Sequence, residues 1–191
     1  MKVGLFFGSF NPIHIGHMAL ANYMLEYTDL DKIWFVVSPH NPLKQKASLL
    51  DEKHRLQLVK CAIGENIKLK ASDIEFKLPQ PSYTINTLTY LKEKHPSYNF
   101  ALIMGSDNLE SFHKWKNNDE ILKQVELYIY PRTNHEGGIL KTHKKVNWVN
   151  APVIEISSTF IRDAIKNKKD IRYFVPEKVW EYIQEMHFYK K

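Results

Sequence analysis

Two histidines three residues apart, His14 and His17, stand inside the string Gly8-Ser9-Phe10-Asn11-Pro12-Ile13-His14-Ile15-Gly16-His17. At that spacing they share one face of a first helical turn. Imidazole N–H groups beside the free amides of a helix start favour an anion, and no nucleophile is needed to hold it. Gly8 lets the backbone approach a ligand closely. Gly16 does the same, or lets the helix start pack tightly against a sheet. Zinc is the other reading of a histidine pair, but no Cys cluster and no nearby acidic third ligand supports it, so no metal ligand is assigned. A second group, Ser157-Ser158-Thr159-Phe160-Ile161-Arg162, has the same flavour. Ser157 or Ser158 can cap a helix whose N-terminus receives phosphate, and Arg162, about one turn in, offers a planar fork of donors to the same anion.

Such groups must be carried on something rigid. Apolar runs near 2–7, 32–37, 67–70, 99–104, 125–130 and 152–156 read as strands. Helical patterns fall near 16–27, 51–63, 83–94, 106–112, 118–123, 158–167 and 177–187. Alternation of this kind predicts an α/β fold, a Rossmann-like, doubly wound and mainly parallel sheet with helices on both faces. In such a sheet, ligands lie at the carboxyl ends of strands, which is where the histidine string falls. Gly64 stops the second helix, Ser82 is placed to cap the third, Pro96 follows its end, and Pro176 opens the last. The stretches 38–46 and 133–138 read as loops, the former as a basic lid after the second strand.

The 191 residues suit one domain, 1–191, and the 43% hydrophobic and 13% aromatic fractions suffice for a packed core. No apolar run is long enough to span a membrane, and the N-terminus does not resemble a signal peptide. The single cysteine, Cys61, rules out a disulfide framework and reads as a small buried apolar residue, which fits a reducing cytoplasm. The net charge of +6 is spread in short lysine pairs, so it specifies no nucleic-acid stripe. A nucleic-acid-binding module remains the rival from another class; it predicts salt-dependent binding without ATP turnover.

The long histidine string resembles the signature of the nucleotidylyltransferase superfamily, and Ile156-Ser157-Ser158-Thr159-Phe160-Ile161-Arg162 resembles the element that closes its active site. Four further stretches resemble the nicotinate-nucleotide adenylyltransferases: Ser82-Tyr83-Thr84, Gly105-Ser106-Asp107, Phe112-His113-Lys114-Trp115 and Tyr130-Pro131-Arg132. The resemblance implies transfer of an adenylyl group from ATP to nicotinate mononucleotide, releasing pyrophosphate. It implies catalytic roles for His14, His17, Arg162 and a lid lysine, Lys44 or alternatively Lys46. It implies ATP contacts at Gly8, Ser9, Phe10, Gly16, Gly105, Asp107, Ser157, Ser158 and Thr159. Asn41, Thr84, Trp115 and Arg132 then hold the mononucleotide. Mg²⁺ is expected on the phosphate oxygens of ATP, with no protein ligand. Phosphopantetheine, nicotinamide mononucleotide and cytidylyl transfer are the rival chemistries of the same superfamily. The chain departs from the pattern at Asn86, at Asn11 and in a shortened lid, Pro39-His40-Asn41-Pro42-Leu43-Lys44.

Overall fold

The computed structural model describes residues 1–39 and 49–190, so Asn41, Lys44 and Lys46 lie outside the described residues. Six strands form one sheet: β1 (Lys2–Gly8), β2 (Lys32–Val37), β3 (Leu69–Ser72), β4 (Asn99–Gly105), β5 (Glu126–Tyr130) and β6 (Val146–Trp148). Their order is β3-β2-β1-β4-β5-β6, and every neighbouring pair is parallel. Among the described residues seven α-helices surround them: α1 (Ile15–Tyr27), α2 (Glu52–Ile63), α3 (Thr84–Lys94), α4 (Ser106–Glu110), α5 (Asn118–Gln124), α6 (Ser158–Lys166) and α7 (Glu177–Glu185). The expected doubly wound α/β class is the one found.

Period-two alternation along the strands explains why both faces are covered. Ile33, Phe35 and Val37 of β2 point into one core with Phe6, Ala101 and Ile103; Trp34 and Val36 point into the other with Val3, Leu5 and Leu102. The first core takes α1, α2, α6 and α7 through residues such as Met24, Leu58, Ile161 and Val179. The second takes α3, α4 and α5 through Leu88, Leu109 and Ile121. Each fully buried aliphatic side chain contributes about 1.5–3 kcal/mol of transfer free energy, so a strand buried on both faces must read as a continuous apolar run.

Winding reverses between β1 and β4. The chain leaving β1 goes to α1 on one face, and the chain leaving β4 goes to α4 on the other. A crevice must therefore open beyond the carboxyl ends of these two strands. Gly8 and Gly105 are their last residues.

Several sequence expectations need correcting. Residues 152–156 are not a strand; the sheet ends at β6, and the Ala151 N–H turns back to the Val149 carbonyl at 2.8 Å. Pro152 has no N–H to give a ladder, and Val153 is 52% exposed. The apolar residues of this stretch serve another purpose, since Pro152, Ile154 and Ile156 wall the cavity described below. Ser82 does not cap α3: Tyr83 occupies that position and the Ser82 hydroxyl donates to Gln80 Oε1 at 3.1 Å. Pro176 sits one residue before α7 rather than in its first position. Cys61 is half-buried at the edge of the first core. Gly64 does end α2, at φ 57° with its N–H on the Lys60 carbonyl. Among the described residues no helix is long and apolar enough to cross a membrane.

Candidate active site at the sheet switch point

A cavity of about 390 Å³ fills the crevice. It gathers residues that lie far apart in the chain: Gly8 to Asn11, His14, Gly16, His17, Asp107, Arg132, Ser157 to Thr159 and Arg162. Two helix N-termini, those of α1 and α6, open into it, and neither has an acidic residue in its first turn. The positive ends of both helices are therefore directed at the cavity without an acidic counter-charge in the first turn.

His14 is the N-cap residue of α1 and is only 5% exposed. Its ring lies 3.7 Å from that of His17, centroid to centroid, with the planes inclined at 32°, so the spacing in sequence has become a close, tilted pair. The His14 N–H donates to His17 Nδ1 at 3.3 Å. In neutral His17 the ring proton therefore sits on Nε2, making that atom a donor. The His17 N–H is spent on the His14 carbonyl at 3.0 Å, and His14 Nδ1 is buried without a hydrogen-bond partner among the described residues. Burial, and then the positive field of Arg132, lower the His14 pKa from 6.5 to about 4. The ring is neutral at pH 7.

The glycines do specific work here. A Cβ on Gly8 would come within 2.8 Å of the Phe10 ring, and one on Gly16 within 3.1 Å of His14 Nδ1. Gly8 thus makes room for Phe10 rather than for ligand alone. Phe10, only 2% exposed and in a left-handed backbone conformation (φ 46°), meets the His17 ring edge-on at 5.2 Å. It fixes the orientation of the imidazole. A Cβ on Gly105 would collide with Asp107 Oδ1, and that buried oxygen has no partner among the described residues. Gly105 itself does not line the cavity; it lets Asp107 fold over it.

Ser157, rather than Ser158, caps α6, accepting from the Phe160 N–H at 3.1 Å. Ser158 instead donates to the Pro12 carbonyl at 2.9 Å. Arg162 donates from Nη1 to the Asn11 carbonyl at 2.8 Å and from Nη2 to Thr159 Oγ1 at 3.2 Å. The two motifs, 146 residues apart at Ser158 and Pro12, are thereby stitched together. Tyr130 lines the cavity too, and burial pushes its phenol up to about 12, so it stays a hydroxyl.

Thr84 and Trp115 do not line this cavity. They sit on the α3–α5 side, where the Trp115 ring tilts against Phe112 at 5.2 Å and Lys116 lies 4.3 Å above the Tyr83 ring. Arg132, grouped with them from the sequence, lines the anion cavity instead.

Sequence reasoning missed Arg55. Its side chain is completely buried and carries four hydrogen bonds to main-chain carbonyls: Nε to Leu50 (2.9 Å), Nη1 to Ser9 and Ser38 (both 2.7 Å), and Nη2 to Pro39 (2.9 Å). The signal was present. Arg55, Leu58 and Val59 are the buried residues of α2, so a cation occupies the i, i+3, i+4 apolar stripe.

The fold and cavity define a nucleotide-handling α/β protein, and the model for the family described as cytidylyltransferase-like matches residues 5–164. The "Probable nicotinate-nucleotide adenylyltransferase" of Flavobacterium psychrophilum is 58% identical over the whole of both chains. A protein of the same name from Flavobacterium johnsoniae is 56% identical, again over the whole of both. The structure of Plasmodium falciparum nicotinic acid mononucleotide adenylyltransferase complexed with NaAD superposes with a TM-score of 0.82, covering 99% of this chain and 97% of that one; at 22% identity this likeness speaks to the fold. The chain belongs to the cytidylyltransferase-like family and, within it, to the nicotinate-nucleotide adenylyltransferases.

The lowered His14 pKa makes a prediction about stability. A histidine held below its unfolded value binds fewer protons folded than unfolded between pH 6.5 and about 4. Its contribution is therefore present above that window and is lost as pH falls through it. Relative to a His14→Asn variant, the unfolding free energy of the wild type should fall by up to ~1.4 kcal/mol per pH unit across the window. Denaturant titrations at pH 7.5 and pH 5 check this, and a pH-independent difference would contradict it.

Proposed function

We propose that the protein transfers the adenylyl group of ATP to nicotinate mononucleotide, forming nicotinate adenine dinucleotide and pyrophosphate, a step of NAD biosynthesis. The observation that carries this reading is the convergence of two helix N-termini, neither with an acidic first turn, on one cavity with the closely paired His14 and His17 rings and Arg162. Full-length identity to the named relatives supports the choice of acceptor.

The mononucleotide phosphate attacks the α-phosphorus of ATP in line, a P–O bond forms as the bond to the β-phosphate oxygen breaks, and pyrophosphate leaves. No covalent enzyme intermediate is required. Catalysis is positioning and charge stabilisation. His17 Nε2–H donates to an α-phosphoryl oxygen as charge builds there, and His14 acts beside it. A polyanion beside the His14 ring favours its protonated form, opposing the burial that lowers its pKa. Arg162 and the N-terminus of α6, with Ser157, Ser158 and Thr159, hold the β- and γ-phosphates and the leaving pyrophosphate. The unpartnered Asp107 Oδ1 accepts from the adenosine ribose, with Gly105 giving it room. Gly8, Ser9, Phe10 and Gly16 shape the backbone around the triphosphate. Lys44 is the proposed lid lysine and Asn41 an acceptor-side contact. Trp115 and Thr84 hold the nicotinate ring on the α3–α5 side, and Arg132, which lines the cavity, takes the mononucleotide phosphate.

Nucleotidyltransferases of this family generally use a divalent metal with ATP. Asp107 is the one carboxylate among the cavity residues, and no group of three His, Cys, Asp or Glu side chains gathers among the described residues. A lone carboxylate does not make a Mg²⁺ cage, so the described residues would leave a divalent cation to be carried by the triphosphate, where it would supply charge neutralisation.

The deciding experiment is pyrophosphate release with ATP and Mg²⁺, run in parallel with nicotinate mononucleotide, nicotinamide mononucleotide and phosphopantetheine. A strong preference for the first is expected; turnover only with another acceptor would refute the assignment of the acceptor. His17→Ala should lower kcat by at least ~10²-fold, the scale of losing one transition-state donor; near wild-type turnover in a folded variant would remove His17 from the mechanism. Trp115→Ala should raise the KM for the mononucleotide and leave that for ATP nearly alone. An equal rise in both would count against the stacking role.

A further inference from the structure

Asn11 replaces the acidic residue that the opening motif more often carries, and its surroundings explain what the amide does. It is 4% exposed. Its Oδ1 accepts from the Leu50 N–H at 3.3 Å and from the Tyr189 hydroxyl at 2.9 Å, while its main-chain carbonyl accepts from Arg162 Nη1 at 2.8 Å. One residue of the anion loop is thus tied by its side chain to the segment after α7 and by its backbone to the arginine assigned to the leaving group. Tyr189 is separated from Asn11 by 178 positions, and no feature of the sequence links them.

The Tyr189 hydroxyl is enclosed. Burial pushes its ionisation well up, against the opposing positive fields of Arg162 and Arg55, so it remains a neutral donor at any physiological pH. A neutral donor suits a neutral amide acceptor here, because the two guanidinium groups nearby are already engaged with carbonyls. Its ring leans on Phe188, whose ring meets His54 of α2 edge-on at 4.9 Å. The hydroxyl is therefore held in place from the helix that also carries Arg55.

We propose that Tyr189 is a positioning residue for adenylyl transfer: by holding the Asn11 side chain it fixes the carbonyl that aims Arg162 at the pyrophosphate end of the cavity. The assignment rests on the reading of Arg162 as the pyrophosphate-side arginine. It acts through Asn11 and touches no substrate. An arginine whose anchor is loose still binds the anion but samples more directions, which weakens the grip on the leaving group more than on the acceptor.

The test uses the full chain as wild type, Tyr189→Phe, Asn11→Ala and the double variant. Inorganic pyrophosphate binding is measured by titration calorimetry and kinetics with ATP and nicotinate mononucleotide by pyrophosphate release. Tyr189→Phe should weaken pyrophosphate binding and lower kcat/KM for ATP about tenfold, equivalent to about 1.4 kcal/mol, with the mononucleotide KM held within about twofold. The double variant should be no worse than Asn11→Ala alone, because the two groups act as one unit. Wild-type pyrophosphate affinity in Tyr189→Phe, equal losses for both substrates, or fully multiplied effects in the double variant would each overturn the proposal. If Tyr189→Phe fails to fold, Asn11→Asp, which keeps the acceptor oxygens, must retain pyrophosphate affinity that Asn11→Ala loses; equal affinities would overturn it. Calorimetry does not depend on the acceptor, so wild-type protein that binds pyrophosphate but rejects nicotinate mononucleotide would refute the function and leave the role of Tyr189 standing on its own result.

Discussion

Arg55 is the interaction on which the site depends. A guanidinium taken out of water costs several kcal/mol, and among the described residues this one is bonded to no carboxylate; the cost is offset by four charge-assisted bonds to main-chain carbonyls of Ser9, Ser38, Pro39 and Leu50. Those carbonyls come from the anion loop after β1, the chain leaving β2 and the approach to α2. Each belongs to irregular backbone with no ladder to satisfy it, and unpaired buried carbonyls are themselves costly. One fork of donors with a fixed plane removes all of these penalties and fixes three chain segments relative to one another. A lysine, a point charge with three rotatable donors, has neither the reach nor the planarity to do this.

The cavity that results is positive through geometry more than through net charge. The +6 of the chain is spread over its surface, whereas the cavity field comes from two helix N-termini and two arginines. His14 adds a polar ring without adding fixed charge at pH 7, since burial lowers its pKa to about 4. A site that bound its polyanion with permanent charges alone would hold the product pyrophosphate as tightly as the reacting group. Neutral donors that respond to developing charge discriminate better.

How far the sequence could be read depended on whether a residue's partner was local. The five long apolar strand runs, the His14–His17 face and the Gly64 stop were legible, because each follows from spacing along a helix or strand. The stretch 152–156 was misread for a physical reason: apolar residues look alike whether they pack in a sheet or wall a cavity, and only the exposed Val153 and the turn at Ala151 distinguish them. Ser157 and Ser158 could not be told apart as caps until the Pro12 carbonyl appeared as the partner of the second. Arg55 left a trace, a cation on an apolar stripe, but its four acceptors are backbone atoms that sequence does not mark.

By itself, then, the sequence determined the doubly wound class and marked the two short motifs as candidates for anion binding, since both rest on periodicity and on residue types a few positions apart. The tertiary structure alone decided that these motifs meet, that Phe10 and not ligand alone occupies the space Gly8 leaves, that Arg132 joins the anion cavity while Trp115 and Thr84 stand outside it, and that Asn11 is shared between Arg162 and Tyr189. The division has one physical cause. Secondary structure is a local balance of side-chain spacing and backbone hydrogen bonding, whereas a site at a switch point is made of long-range contacts whose partners become neighbours only when the winding of the sheet reverses.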